Sequence, residues 1–271
     1  MMKRSILAFL MGVMTHTAMA HAPFVVPQSY LVNGGNTGVI AGFAEQPFDS
    51  EVVIRGFDFD VVYPDGDIGD LTLVNSKTMS IADIDTAQAG TYQIIGKRIG
   101  DIKFAQQGQR WLRVLDAEAD RVEPLAKRNF TIPSEITAKT PQITVKRHDL
   151  VGSYFSKKET SPIEKMIDNH GLEVQFSEHP NQIQIGKPLS LKLNLNQKPA
   201  VNYQVELEKQ PTLASEKTEV IKLKSNQQGE VKLPLAGIGQ YIVTITSPEL
   251  NETVKPAPET HRTILSFYVN P

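Results

Sequence analysis

Short runs rich in Val, Ile, Thr, Tyr and Phe, closed by turn-forming residues, recur along this chain and leave almost no stretch with helical periodicity, which confines it to β architectures. Val52-Val53-Ile54, Phe59-Asp60-Val61-Val62-Tyr63 and Leu189-Ser190-Leu191-Lys192-Leu193 alternate or run apolar as strands do. Between such runs lie Asn33-Gly34-Gly35-Asn36, Pro64-Asp65-Gly66-Asp67 and Asn226-Gln227-Gln228-Gly229, each with a residue that tolerates positive φ. A single short helix is expected, over Ser161 to Asn169, with Pro162 in its first turn.

A weak internal repeat divides the chain. Gly90-Thr91-Tyr92 and Gly239-Gln240-Tyr241 each lead into a strand, and a tyrosine holds that place near a late strand of immunoglobulin-like sandwiches. The expected fold class is therefore all-β, two tandem immunoglobulin-like β-sandwich domains, one over 21–150 and one over 171–271. Residues 151–170, polar from Ser153 onward, are expected to link them. Phe104 to Trp111 suggests a hairpin loop that the sole Trp anchors by packing. The acidic cluster Asp58, Asp60, Asp65 and Asp67 lacks the spacing of a calcium loop and reads as a solvated turn.

The N-terminus carries the three zones of a cleavable secretory signal. Lys3 and Arg4 precede an apolar run from Ile6 to Met14, and Ala18-Met19-Ala20 follows. Residues 1–20 are the expected signal peptide, and cleavage after Ala20 makes His21 the first mature residue. The apolar run is shorter than the ~20 residues that span a bilayer, so no membrane span is expected in the mature chain. Loss of Lys3 and Arg4 leaves 26 basic against 30 acidic residues, which gives no electrostatic case for nucleic acid. With no cysteine in the chain, disulfides, thiolate metal sites and cysteine nucleophiles are excluded, and a metal would be held by nitrogen and oxygen.

Several stretches resemble a family of bacterial periplasmic proteins carrying a domain of unknown function of the DUF4198 type, often labelled periplasmic components of nickel or cobalt transport. The matching residues include His21-Ala22-Pro23-Phe24-Val25-Val26-Pro27, Phe57 to Gly66, Gly90-Thr91-Tyr92 with Gly108 to Trp111, Tyr154-Phe155-Ser156-Lys157, His179-Pro180-Asn181 and Ile264 to Val269. Many relatives begin His-Ala-His, whereas the third mature residue here is Pro23. The resemblance implies a periplasmic location and metal handling, names no reaction, and makes an inner-membrane metal transporter a candidate partner.

The chemistry available fits that implication. A histidine at a free N-terminus offers its α-amino nitrogen and Nδ1 to one ion, and a second imidazole would complete a set suited to copper, nickel or cobalt. His21, His179 and His261 are the candidate metal ligands. His148 and His170 flank the linker and read as solvated side chains. No organic cofactor is implied, and the nucleophile, zinc-protease and phosphate-loop motifs are lacking. A non-enzymatic, exported metal-binding protein is the leading expectation; an envelope interaction module without metal is the alternative, followed by a copper-dependent oxidase.

Overall fold

The computed structural model describes residues 22–163, 167–213 and 218–271. In chain order the strands are β1 (Ala22–Pro27), β2 (Leu31–Val32), β3 (Asn36–Ala44), β4 (Asp58–Val62), β5 (Ile68–Asp70), β6 (Val74–Asn75), β7 (Ser80–Asp85), β8 (Gly90–Gln107), β9 (Arg110–Val114), β10 (Phe130–Thr131) and β11 (Gln142–Lys157). They continue with β12 (Ile167–Asn169), β13 (Leu172–Phe176), β14 (Leu189–Leu195), β15 (Lys198–Pro199), β16 (Gln204–Lys209), β17 (Val220–Lys224), β18 (Glu230–Leu233), β19 (Gly239–Thr246) and β20 (Glu259–Val269). No α-helix occurs among the described residues.

The protein is an all-β sandwich fold, as the strand-and-turn pattern implies. Its largest sheet runs β9-β8-β11-β20-β19-β16-β17, with β4 also on β8. Successive side chains of a strand point to opposite faces, so this one sheet feeds two cores. Val151, Phe155 and Ile264 join Phe24, Val39 and Ile84 of the sheet β1-β3-β7-β6. Leu150, Tyr154, Leu265 and Phe267 join Leu172, Val174, Leu191 and Val231 of the sheet formed by β12, β13, β14, β15 and β18.

The central pairing is between β11 and two distant strands. β8 lies antiparallel to it from Gly90 to Ala105, and β20 lies parallel to it over eight residues, Lys146 to Ser153. This corrects the expected linker, because residues 151–157 are the buried end of β11. Serines hide the strand in the sequence. The Ser153 hydroxyl donates to the Ser266 carbonyl at 3.1 Å, and the Ser156 hydroxyl to Asn181 Oδ1 at 2.8 Å, so both are buried with partners. The expected helix is also corrected: Ile167–Asn169 forms β12, whose Ile167 pairs with Val174 and is fully buried, and a segment this short gains more from that core than from isolated helix formation.

Both Gly-x-Tyr steps are tyrosine corners. Tyr92 Oη donates to the Gln88 carbonyl at 2.9 Å, and Tyr241 Oη to the Gly237 carbonyl at 2.8 Å, each reaching four residues back along the chain. The expected hairpin at Phe104 to Trp111 is the β8–β9 connection, and Asp65 and Asp67 lie in the β4–β5 turn, where Asp65 Oδ1 accepts the Asp67 N–H. Gly96 lets β4 approach β8, since a Cβ there would lie 2.4 Å from the Phe59 ring.

Candidate metal centre

Parallel pairing of β11 with β20 puts His148 directly beside His261 on the face that lines the second core. Their ring centroids are 5.5 Å apart. A third imidazole comes from the β12–β13 hairpin. Asn169 pairs with Leu172, which leaves His170-Gly171 as a two-residue turn with φ of +52° and +88°. Positive φ at both positions is the primed hairpin geometry, where Asn or Gly is usual at the first position; a histidine there is tolerated but uncommon.

Side-chain bonds fix this turn over the end of the sheet. Asn169 Nδ2 donates to the His148 carbonyl at 2.9 Å and to Thr263 Oγ1 at 3.0 Å, and Asp168 Oδ1 accepts the Gly171 N–H at 2.7 Å. His261 Nε2 donates to the His170 carbonyl at 3.2 Å. The consequence is that the His170 ring stacks on His148, 4.0 Å between centroids and 7° between planes. Glu259, the first residue of β20, brings Oε1 to 3.5 Å from His170 Nε2 and 3.9 Å from His148 Nε2. One donor atom each from His148, His170 and Glu259 lies within 4.8 Å of the other two.

The electrostatics favour the neutral form of His148 and His261. Burial, then the neighbouring His170 and His261, holds His148 below the usual imidazole range; burial does the same for His261. His148 is 5% exposed, so it is not the solvated side chain expected from its place beside the linker. Its Nε2 is buried without a hydrogen-bond partner. Two imidazole nitrogens and one carboxylate oxygen form a donor set suited to zinc, copper, nickel or cobalt. The separations exceed the ~3.3 Å between donors around a tetrahedral zinc, and stacked rings aim their lone pairs side by side rather than at one point. His170 is the exposed member of the group, on its turn, so gathering the three donors on one ion requires a change in its side-chain rotamer.

The other candidate ligands fall differently. His21 lies outside the described residues, immediately before β1. His179 stands apart from this group with both ring nitrogens engaged. Its Nδ1 accepts the Asn181 N–H at 3.1 Å, which leaves the proton on Nε2, 3.1 Å from the Ser161 carbonyl and 3.0 Å from Thr91 Oγ1. Thr91 and His179 are therefore not arranged as a nucleophile and its base. His261 sits at the cluster but spends Nε2 on the His170 carbonyl. Sequence reasoning missed His148, His170 and Glu259. The His-Gly step between Ile167-Asp168-Asn169 and Leu172-Glu173-Val174 was the one available signal, a tight turn with an unusual residue at its first position.

Comparison with solved structures returns likenesses of low sequence identity. Alpha-2-macroglobulin from Escherichia coli is 10% identical, over 93% of this chain and 16% of that one, with a TM-score of 0.26. The FN1–FN3 domains of chicken CNTN1 are 9% identical, over 92% and 98% of the two chains, with a TM-score of 0.22. The D0–D1 domain of intimin is 11% identical, over 90% and 97%, with a TM-score of 0.20. This chain thus spans about a sixth of the macroglobulin's length. Among curated proteins, none matches the sequence. A family model described as a domain of unknown function, DUF4198, matches residues 18–248, and the chain belongs to that family.

Proposed function

We propose that this is an exported periplasmic protein that binds a divalent transition metal, with His148, His170 and Glu259 as ligands and His261 as the group that fixes the His170 turn. The observation that carries the reading is the buried His148 Nε2, which lacks a hydrogen-bond partner and lies beside a second imidazole and a carboxylate. A buried nitrogen in that condition is unfavourable unless something accepts its lone pair, and a metal ion does so. The resemblance to periplasmic proteins labelled for nickel and cobalt transport supports the same reading, and a membrane transporter is the partner that such a role calls for.

His21 would form a separate N-terminal site, which the same experiment resolves. The processed protein beginning at His21 is titrated with Cu(II), Ni(II), Co(II) and Zn(II), beside His148→Ala, Glu259→Gln and a form with one extra residue ahead of His21. Loss of about tenfold or more in affinity is expected for His148→Ala and Glu259→Gln, comparable to the loss of other groups that set a metal site. Equal affinity in the wild type and both variants overturns the proposed centre. A loss confined to the extended form assigns binding to His21 instead.

A further inference from the structure

On the face of the central sheet opposite the histidines, the same strands gather three arginines around one carboxylate. Asp149, 1% exposed, is the register partner of Arg98 on β8 and of Arg262 on β20. Arg98 Nη2 lies 2.7 Å from Oδ2, and Arg262 Nε lies 2.9 Å from Oδ1. Arg147, two residues earlier on β11, donates from Nη2 at 3.1 Å. Its Nε also approaches Oδ1 to 3.1 Å, but the N–H does not point at the oxygen, and this buried Nε has no hydrogen-bond partner. Burial pushes the Asp149 carboxyl up, yet the arginines outweigh it and hold the group below its ordinary range.

One negative charge thus faces three positive ones. Arg98 is the guanidinium that Asp149 accepts from twice, and its Cζ also lies 4.6 Å from the centre of the Phe57 ring. Arg147 and Arg262 carry the surplus, and each keeps about a quarter of its side chain exposed. Partly buried charge in excess is costly without a counter-ion.

Both surplus arginines line the same cleft, a space of about 1490 Å³ around the segment 247–258 that joins β19 to β20. Beyond them the sheet contributes apolar Ile102, Phe104 and Val145, and the overlying segment contributes Leu250 and Val254. That segment is pinned at its middle, where the Glu252 carbonyl accepts the Trp111 N–H at 2.6 Å and its carboxylate pairs with Arg110 at 2.6 Å. Of the acids lining the cleft, Glu259 lies beside His148 and His170 and Asp168 accepts the Gly171 N–H, while Glu249 is carried on the overlying segment. We propose that this cleft binds a small organic anion, its carboxylate on Arg147 and Arg262 and its apolar body against Ile102, Phe104, Val145, Leu250 and Val254. Arginine forks match a carboxylate in plane and charge, while the apolar walls give the remainder of the molecule a dry surface.

The test is calorimetric titration of the full chain, stripped of metal with EDTA, against hexanoate, 1-hexanol and inorganic phosphate. Hexanoate is expected to bind about tenfold or more tightly than 1-hexanol, the margin that a charge-assisted pair provides. Arg147→Gln should remove that margin and leave 1-hexanol unchanged. Leu250→Glu, at a half-exposed position where folding is not at stake, should weaken hexanoate too. Equal binding of hexanoate and 1-hexanol, phosphate binding in place of hexanoate, no binding of hexanoate, or an unaffected Leu250→Glu variant each overturns the proposal. The cleft also reaches His170, Glu259 and His261; with metal removed throughout, these outcomes test anion binding and not metal binding.

Discussion

An imidazole taken out of water needs partners for both nitrogens, and the half-buried His179 and the buried His148 differ in whether they find them. His179 satisfies it within the protein, through Asn181, Ser161 and Thr91. His179→Ala should therefore cost about 1–3 kcal/mol at pH 7, the usual penalty for orphaning a network of this kind, measurable by urea unfolding. Burial lowers the pKa of His179 in the folded state, against a smaller opposing effect of the Ser161 carbonyl. The unfolded chain then binds the proton more readily, so this contribution is complete above the unfolded value of about 6.5 and is lost as pH falls through the folded one. The wild type should lose more stability than His179→Ala between pH 7 and pH 5. His148, by contrast, keeps Nε2 unpartnered. Without metal, His148→Leu should leave the melting temperature unchanged or raised, because an apolar side chain of similar reach removes the orphan. None of this was legible from residue type: His179 sits in a stretch that invites assignment as a ligand, and its engagement depends on Thr91 and Ser161, which only tertiary packing brings to it.

Elements were more legible than residues, where local chemistry decided them. The two Gly-x-Tyr steps announced their strands because a tyrosine corner is built from atoms four residues apart. Each hydroxyl also accepts a backbone N–H, from Gln88 and Ala236, so Tyr92→Phe and Tyr241→Phe should each cost about 1–3 kcal/mol, the net worth of two hydrogen bonds, read in thermal or urea unfolding. The β12–β13 hairpin was not legible, because its serine- and lysine-rich approach concealed short strands that exist only by pairing with β14 and packing on Leu150 and Leu265. Its turn yields the clearest separation of stability from function. Asn suits the left-handed first position of a primed turn better than His does. His170→Asn should keep or raise the melting temperature while lowering metal affinity about tenfold, as removal of a ligand would. Unchanged affinity in that variant would take His170 out of the centre.

At the scale of the whole molecule, the all-β class was legible from periodicity and the connectivity was not, since a parallel pairing between β11 and the last strand leaves no local signal. That pairing makes the two cores interdependent: β11 supplies Val151 and Phe155 to one, Leu150 and Tyr154 to the other. Unfolding should accordingly be a single transition. Fluorescence of Trp111, the one tryptophan, and backbone circular dichroism should report the same midpoint. A fragment ending at residue 150 should show no cooperative unfolding, because it lacks the half of β11 that closes the first core. Two separated midpoints in the intact chain would contradict this.

The alternation of β11 and β20 also bears on how the chain can change over time. His148 and Asp149 are neighbours in sequence, as are His261 and Arg262, yet each pair divides between opposite faces of the sheet. Deleting one residue just after Asp149, with the buried end of β11 held in place, would shift the frame of what precedes it, turning the imidazole toward the arginines and the carboxylate toward the histidines. Insertions and deletions are thus barred from this stretch for two reasons at once. The two faces can drift only by substitution, and they must be inherited as one unit.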